Sequence, residues 1–208
     1  MSKIEHFIRQ SWLLIAASFF FGLLMAITNA ALSPRIEQNK INKRNHLLGA
    51  LLPKARDFVP LDTEIEIESV TSKKQTVEVY RAMSSSDQCV GWGFNAVGPG
   101  FADKIELVVA VGASFEKIAG FDVLSSNETP GFGDQIKYDY FRSQFKGAPA
   151  EALELVGTGE PAEIDSKIVA ITGATVSSEA VVEIVSHTVM QVREQMHKKG
   201  IIDNVKEE

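Results

Sequence analysis

The stretch Ile171–Lys199, ITGATVSSEAVVEIVSHTVMQVREQMHKK, decides the fold because its apolar period changes within a few residues. The apolar run Ile168–Ile171 is typical of a strand, whereas Ser178–Lys199 carries its apolar side chains at helical spacing. This stripe consists of Val181, Ile184, Val185, Thr188, Val189, Val192 and Met196. We therefore predict a long C-terminal amphipathic helix that covers one face of a sheet.

Upstream of this stretch, short runs with strand periodicity follow one another without helices between them. We predict strands over Thr63–Val70 (with Ile65, Ile67 and Val70 on one face), Thr76–Arg81, Cys89–Asn95, Lys104–Val111 and Glu116–Leu124, with a turn at Gly98-Pro99-Gly100. A shorter helix is predicted over Tyr138–Phe145 and ends before Gly147. Consecutive strands favour antiparallel pairing, so the fold class is α+β with a largely antiparallel sheet.

The N-terminal region is apolar enough to cross a membrane. No charged residue lies between Arg9 and Arg35, and Trp12–Leu32 is a nearly continuous apolar run that as a helix would span about 31 Å, the thickness of a bilayer core. A cleaved signal peptide is the alternative, because Lys3 and Arg9 precede the run and Thr28-Asn29-Ala30 offers a small residue for cleavage. We expect a retained transmembrane anchor over residues 1–33, a juxtamembrane helix or stalk over 34–56, and a domain over 57–208.

Composition excludes several classes of function. The chain has 208 residues with 21 Lys+Arg and 27 Asp+Glu, a net charge of −6, and so lacks the basic surface that nucleic-acid binding requires. The single cysteine, Cys89, excludes an intrachain disulfide and a Cys-ligated iron–sulfur cluster. The histidines show no metal-ligand spacing, so no metal site is predicted. If the protein carries electrons, its cofactor is of another kind.

Two segments have compositions that suggest a ligand site. The first, Asn127–Asp134, surrounds Phe132 with two glycines and a proline; it is either a wall against a planar ligand or a turn whose phenylalanine fills the core. The second, Ile171–Ser178, leads from a strand through a glycine turn to a helix start, where free backbone N–H groups attract phosphate. Its hydroxyl residues Thr175, Ser177 and Ser178 are predicted to face one opening. The alternative is an ordinary N-cap.

The motifs Thr172-Gly173-Ala174-Thr175 and Glu128–Gly133, which reads E-T-P-G-F-G, carry a resemblance. In both motifs and their order, the sequence resembles the FMN-binding domain shared by the G subunit of the Rnf electron-transport complex and the C subunit of the sodium-pumping NADH:quinone reductase. The resemblance implies FMN held covalently through a phosphoester to the hydroxyl of Thr175. The attachment signature usually has an acidic residue three positions before its first threonine or serine, where this chain has Val169.

The resemblance also implies roles for the remaining motif residues. Polar contacts to the flavin ring are assigned to Glu128 and Thr129, the wall of the site to Gly131, Phe132 and Gly133, and the phosphate neighbourhood to Thr172, Gly173, Ala174 and Ser177. No catalytic residue is assigned, because no histidine or lysine lies beside Thr175 in sequence to activate its hydroxyl. Attachment therefore implies a separate flavin transferase as a partner.

The implied function is that of an electron-relay subunit in a membrane complex that couples ferredoxin:NAD oxidoreduction to ion translocation. Its partners would be the other Rnf subunits. The resemblance puts the domain on the extracytoplasmic side of the inner membrane, although the basic residues Arg35, Lys40, Lys43 and Arg44 after the apolar run favour the opposite side by charge. The alternatives are a C-type subunit of a sodium-pumping NADH:quinone reductase, or a membrane-tethered, non-redox assembly or regulatory module.

Overall fold

The computed structural model describes the backbone of residues 3–202 and the side chains of residues 11–202. The chain divides into two compact units, Met1–Asn42 and Lys43–Glu208. From Lys3 onward, the first unit belongs to helix α1, Lys3–Leu51, which continues without a break past Pro34. The segment Ser11–Leu51 is the one described helix that is long and apolar enough to be a candidate membrane span. Its apolar side chains between Trp12 and Ile27 are exposed, as a lipid-facing surface requires.

The second unit is built on a five-stranded sheet. The strands are β1 Asp57–Pro60, β4 Val79–Met83, β5 Cys89–Pro99, β6 Lys104–Gly112 and β7 Ile118–Ser126. Their order is β1-β4-β5-β6-β7, and every neighbouring pair is antiparallel. A separate hairpin pairs β2, Ile65–Glu68, with β3, Lys74–Val77. The predicted α+β class with a largely antiparallel sheet is confirmed.

One face of the sheet is covered by the C-terminal helix α3, Thr175–Lys198. Every residue of the predicted apolar stripe is buried, from Val181 to Met196. The helix lies so close to β5 that a Cβ atom at Gly98 would be 2.4 Å from the Cγ1 atom of Ile184. Trp92 and Phe94 of β5 are fully buried on this face, so the main core lies between the sheet and α3.

The opposite face of the sheet packs against the end of α1 and the residue that follows it. Leu48 and Leu52 are buried there with Tyr80 of β4 and with Val108 of β6. A Cβ atom at Gly93 of β5 would be only 2.4 Å from Leu48 Cδ2, so the glycine makes room for the leucine. The sheet therefore has a core on each face.

Two strand predictions and one turn prediction need correction. The predicted strand Thr76–Arg81 is interrupted at Glu78, because β3 pairs with β2 whereas β4 pairs with β5. Val70 does not extend the face of Ile65 and Ile67, since β2 ends at Glu68 and the chain then turns. The turn predicted at Gly98-Pro99-Gly100 lies at Gly100–Asp103, because β5 continues to Pro99 and the Gly100 N–H donates to the Asp103 carbonyl at 2.8 Å.

Further differences concern the segments that lead to α3. In place of one helix over Tyr138–Phe145, a 3-10 turn Gly133–Lys137 is followed by helix α2, Asp139–Arg142, and a second 3-10 turn, Ser143–Phe145. The predicted strand at Ile168–Ile171 is present as β9, Lys167–Val169, and it pairs in parallel with β8, Glu154–Val156, a strand that was not predicted. The strand β1 was also not predicted. Helix α3 begins at Thr175, three residues before the predicted Ser178, so that Thr175 belongs to its first turn.

Candidate functional site

A cavity of about 470 Å³ lies where the Asn127–Asp134 loop, the start of α3 and the turn after β5 meet. Its volume falls in the range of about 300–1,000 Å³ found for small-molecule sites. Its wall consists of Phe101, Thr129, Phe132, Gly133, Gly173, Ala174, Thr175, Val176 and Ser177. The fold thus brings the two motifs singled out in the sequence to one site.

The start of α3 offers its backbone N–H groups to the cavity. The N-cap residue is Ala174, and it makes no side-chain capping bond. In the part of the chain that the structure describes, the N–H groups of Thr175, Val176 and Ser177 have no acceptor. Free N–H groups and the positive end of the helix dipole attract anions. The alternative of an ordinary Ser/Thr N-cap is therefore wrong, and the Thr175 side chain is exposed at the cavity.

A tight turn connects β9 to this helix start. Gly173 has a φ of +81°, in the left-handed region that glycine adopts without strain. Ser178 closes the turn, since its hydroxyl accepts from the Ile171 N–H at 3.1 Å and donates to the Ala174 carbonyl at 2.9 Å. Ser178 is fully buried, so the prediction that it faces the opening with Thr175 and Ser177 is wrong.

The Asn127–Asp134 loop presents its aromatic side chain to solvent. Phe132 is 58% exposed and lines the cavity, so it does not fill the core. The Phe132 N–H donates to the Thr129 carbonyl at 3.1 Å, and the Asp134 N–H donates to the same carbonyl at 3.3 Å. Gly131 adopts a φ of +78° at the bend of the loop and is not part of the cavity wall. Phe132 is therefore positioned for contact with a ligand.

Glu128, to which the resemblance assigns a ring contact, lies behind the wall. It is only 4% exposed. The Ser177 hydroxyl donates to its Oε2 atom at 2.5 Å, and the Ala102 N–H donates to its Oε1 atom at 3.1 Å. Thr172 is exposed but is also absent from the wall. Of the motif residues, Thr129, Phe132, Gly133, Gly173, Ala174, Thr175 and Ser177 line the cavity.

Two wall residues, Phe101 and Val176, were not predicted. Phe101 is 67% exposed and lies in the Gly100–Asp103 turn, so it faces the cavity from a hairpin distant in sequence from both motifs. An aromatic residue directly after Gly-Pro-Gly could have drawn attention to this position. Hydrogen bonds from the Lys104 N–H and the Asn127 side chain hold the pKa of the Asp103 carboxyl in this turn below its usual range.

A larger cleft of about 780 Å³ lies between the β2–β3 hairpin and the C-terminal half of α3. Carboxylates dominate its charged lining, among them those of Glu64, Glu66, Glu68 and Glu194. Against five carboxylates the cleft has three lysines, Lys74, Lys198 and Lys199, so its net negative charge disfavours a phosphate group. The smaller cavity at the start of α3 is therefore the better site for a phosphate-bearing ligand.

Comparison with known proteins shows a family match over the part of the chain that forms the cavity. The FMN-binding domain family matches residues 100–189, a range that includes every residue of the cavity wall. The chain is 31% identical to the G subunit of the proton-translocating ferredoxin:NAD⁺ oxidoreductase complex of Clostridium ljungdahlii, over 84% of this chain and 85% of the relative. It is 28% identical to the G subunit of the ion-translocating oxidoreductase complex of Methanosarcina acetivorans, over 88% of this chain and 92% of the relative.

Two solved structures share the fold. One is NqrC of Shewanella oneidensis, with a TM-score of 0.55 and 21% identity over 70% of this chain and 73% of that chain. The other is the C subunit of the Na⁺-translocating NADH-quinone reductase of Parabacteroides distasonis, with a TM-score of 0.52 and 15% identity over 83% of this chain and 98% of that chain. At these identities the likeness concerns the fold alone.

Proposed function

Since the chain belongs to the family of G subunits of ion-translocating oxidoreductase (Rnf) complexes and contains their FMN-binding domain, we propose that it is an electron-relay subunit with FMN esterified to Thr175. The observation that carries the proposal is the exposed Thr175 side chain at the uncapped start of α3, on the wall of a ligand-sized cavity.

The residues present fit FMN in two respects. A phosphate at Thr175 would lie beside the free N–H groups of the first helical turn, where the helix dipole favours negative charge. Phe132 and Phe101 are exposed aromatic side chains on the same cavity wall, and their faces suit a planar ring. The left-handed backbone of Gly173 allows the chain to turn closely beside the phosphate position.

Attachment requires a second enzyme. A threonine hydroxyl is a weak nucleophile, and formation of a phosphoester from free FMN in water would have to expel water. We infer that a flavin transferase uses a flavin phosphoanhydride as donor. The Thr175 hydroxyl loses its proton, a new P–O bond forms at Oγ1, and the anhydride P–O bond breaks to release the other phosphate product. The chain gains FMN minus one water.

Once bound, FMN supplies reversible electron transfer, and the protein supplies position and environment. Thr175 holds the phosphate end, and the helix start neutralises part of its charge. Phe101, Phe132 and the glycines of the wall exclude water from the ring. A covalent tether prevents loss of the cofactor, which suits a carrier that works outside the compartment where flavin is made.

We also propose the setting. The candidate span in Ser11–Leu51 anchors the chain in the inner membrane, and the domain lies on the extracytoplasmic side among the other Rnf subunits. There it passes electrons within a complex that couples ferredoxin:NAD oxidoreduction to ion translocation, as the name of the C. ljungdahlii relative indicates for that protein. A C-terminal alkaline phosphatase fusion tests the side: it is active only if the domain is exported, and a cytoplasmic domain leaves it inactive.

Attachment is tested on the full chain, produced together with a flavin transferase. The intact mass should increase by FMN minus one water, and the denatured band should fluoresce under ultraviolet light. Thr175→Ala should abolish both signals, whereas Thr158→Ala, at an exposed hydroxyl outside both motifs and outside the cavity wall, should keep them. Thr175→Ser retains a hydroxyl and should keep part of the signal.

Two outcomes would overturn the assignment. Flavin that maps to another residue, or persists in Thr175→Ala, removes Thr175 as the attachment site. A colourless denatured chain from its native membrane, with its natural partner subunits present, would favour a non-redox assembly module. Covalent FMN together with quinone-coupled activity of the native complex would favour the C-type reductase subunit.

A further inference from the structure

The buried carboxylate of Glu128 is a polar group that direct contact with a cofactor does not explain. We propose that Glu128 is a positioning residue, whose carboxylate fixes the turn that carries Phe101 to the first turn of α3 and so holds two walls of the cavity together. The inference rests on the proposed function only in that the cavity is taken to hold the flavin.

Both oxygens of Glu128 are used within the protein. Oε2 accepts the Ser177 hydroxyl at 2.5 Å, and Oε1 accepts the Ala102 N–H at 3.1 Å. Ser177 lies in the first turn of α3, and Ala102 follows Phe101 in the Gly100–Asp103 turn. One side chain therefore joins segments separated by 75 residues, from Ala102 to Ser177 (177 − 102).

The surroundings of Glu128 match its carboxylate closely. A Cβ atom at Gly100 would be 2.4 Å from Oε1, and a Cβ atom at Gly133 would be 2.7 Å from Oε2. Only glycine at these two positions leaves room for both oxygens. Because a charged group at 4% exposure is costly to bury without partners, its two hydrogen bonds are what allow it to remain there.

The neighbouring residue supports the same turn. The Asn127 side-chain amide donates to Asp103 Oδ2 at 3.0 Å, and the Gly100 N–H donates to the Asp103 carbonyl at 2.8 Å. Two successive residues, Asn127 and Glu128, therefore hold the turn that carries Phe101. The later part of the E-T-P-G-F-G loop supplies Phe132 to the cavity. Through Glu128, the motif orients an aromatic side chain that lies outside it.

The first experiment needs no flavin. Hydrogen–deuterium exchange is followed at the Ala102 amide in the full-length Thr175→Ala chain, in detergent. Glu128→Ala should speed this exchange by about tenfold or more, since a bond to a charged acceptor is lost. Glu128→Gln should largely restore protection, because its carbonyl can accept from Ala102 while its amide donates to Ser177. Glu163→Ala, at an exposed glutamate, is the control.

The second experiment uses the flavin-loaded chain and iodide quenching of flavin fluorescence. Glu128→Ala should increase quenching to the level of Phe101→Ala, and the double variant should show no further increase, because both changes remove the same shield. Glu128→Gln should stay near the wild type. If Glu128 instead touches the ring, Glu128→Gln and Glu128→Ala will alter the flavin absorption spectrum equally.

Unchanged Ala102 exchange in Glu128→Ala, or additive quenching effects, would overturn the inference. If Glu128→Ala does not fold, Glu128→Asp takes its place under the same criteria, because its shorter side chain cannot reach both partners. Fluorescence of each denatured band is read in parallel. An unlabelled wild-type band indicates failure of the proposed function, whereas a labelled band with an unaffected turn indicates failure of the positioning role alone.

Discussion

Gly133→Ala should destabilise the second unit through one steric conflict. The added Cβ would be 2.5 Å from Ser177 Oγ and 2.7 Å from Glu128 Oε2, closer than real Cβ contacts. These two atoms belong to buried side chains and are hydrogen-bonded to each other, so neither can move away without breaking that hydrogen bond. Overpacking a core costs about 1–3 kcal/mol, and losing a hydrogen bond to a charged group costs about 1.5–3 kcal/mol. Since breaking the hydrogen bond would relieve part of the overpacking, we expect a total of about 2–4 kcal/mol.

The assay is urea unfolding of the full chain in detergent, followed by tryptophan fluorescence. Trp92 is fully buried in the core, and a Trp12→Phe background leaves it as the single tryptophan. Gly131→Ala is the matched control within the same loop. Its Cβ would meet nothing within 4 Å, so only the left-handed backbone at φ +78° is penalised, by about 1–2 kcal/mol.

A double variant shows whether the conflict is the one described. Ser177→Ala removes the nearest atom, so in its background Gly133→Ala should cost clearly less than alone, whereas Gly131→Ala should cost the same in both backgrounds. The reasoning is refuted if Gly133→Ala is no more destabilising than Gly131→Ala, or if its effect is independent of Ser177.

The remaining predictions concern stability away from the cavity. Burial and the hydrogen bond to Glu78 raise the pKa of Tyr80 to about 12, so this phenol stabilises the fold fully below pH 10 and loses that effect as the pH rises through about 12. Over this range the wild type should lose more stability than Tyr80→Phe, by about 1–3 kcal/mol because solvent screens the exposed Glu78 partner, measured by urea unfolding at each pH; equal losses would contradict the assignment. Gln144 accepts from the Val169 N–H at 2.8 Å and donates to its carbonyl at 3.2 Å, so Gln144→Ala should cost about 2–4 kcal/mol. Gln144→Glu keeps only the hydrogen-bond acceptor, so its free energy of unfolding should lie between those of the wild type and Gln144→Ala. An unchanged free energy of unfolding in Gln144→Ala would show that this pairing does not contribute to stability.

The spacing of apolar residues was sufficient to predict an element where that element buries a single face against one partner. The stripe of α3 from Val181 to Met196 is such a case. Periodicity failed at Glu78, because Val77 and Val79 keep the alternation while their strands bond to different partners. Strand β8 has three residues, too few for a period to be detected.

The site was predictable to the level of segments but not of single side chains. Ser177 and Ser178 are adjacent hydroxyls at a helix start, and the sequence does not distinguish them. Their difference comes from distant partners, since Ser177 donates to Glu128 while Ser178 closes the turn before the helix. Phe101 was missed for the same reason: its place at the cavity depends on a hairpin turn held by residues that follow β7.

The packing of Leu48 against Gly93 of β5 limits where the second unit can be separated from the candidate membrane span. Cutting the chain at residue 57 would strip Leu48 and Leu52 from the sheet and expose the apolar surface around Val108 to water. Such a fragment should self-associate or precipitate. Cutting ahead of Lys43 retains these leucines, so a water-soluble version for crystallography or potentiometry should begin there.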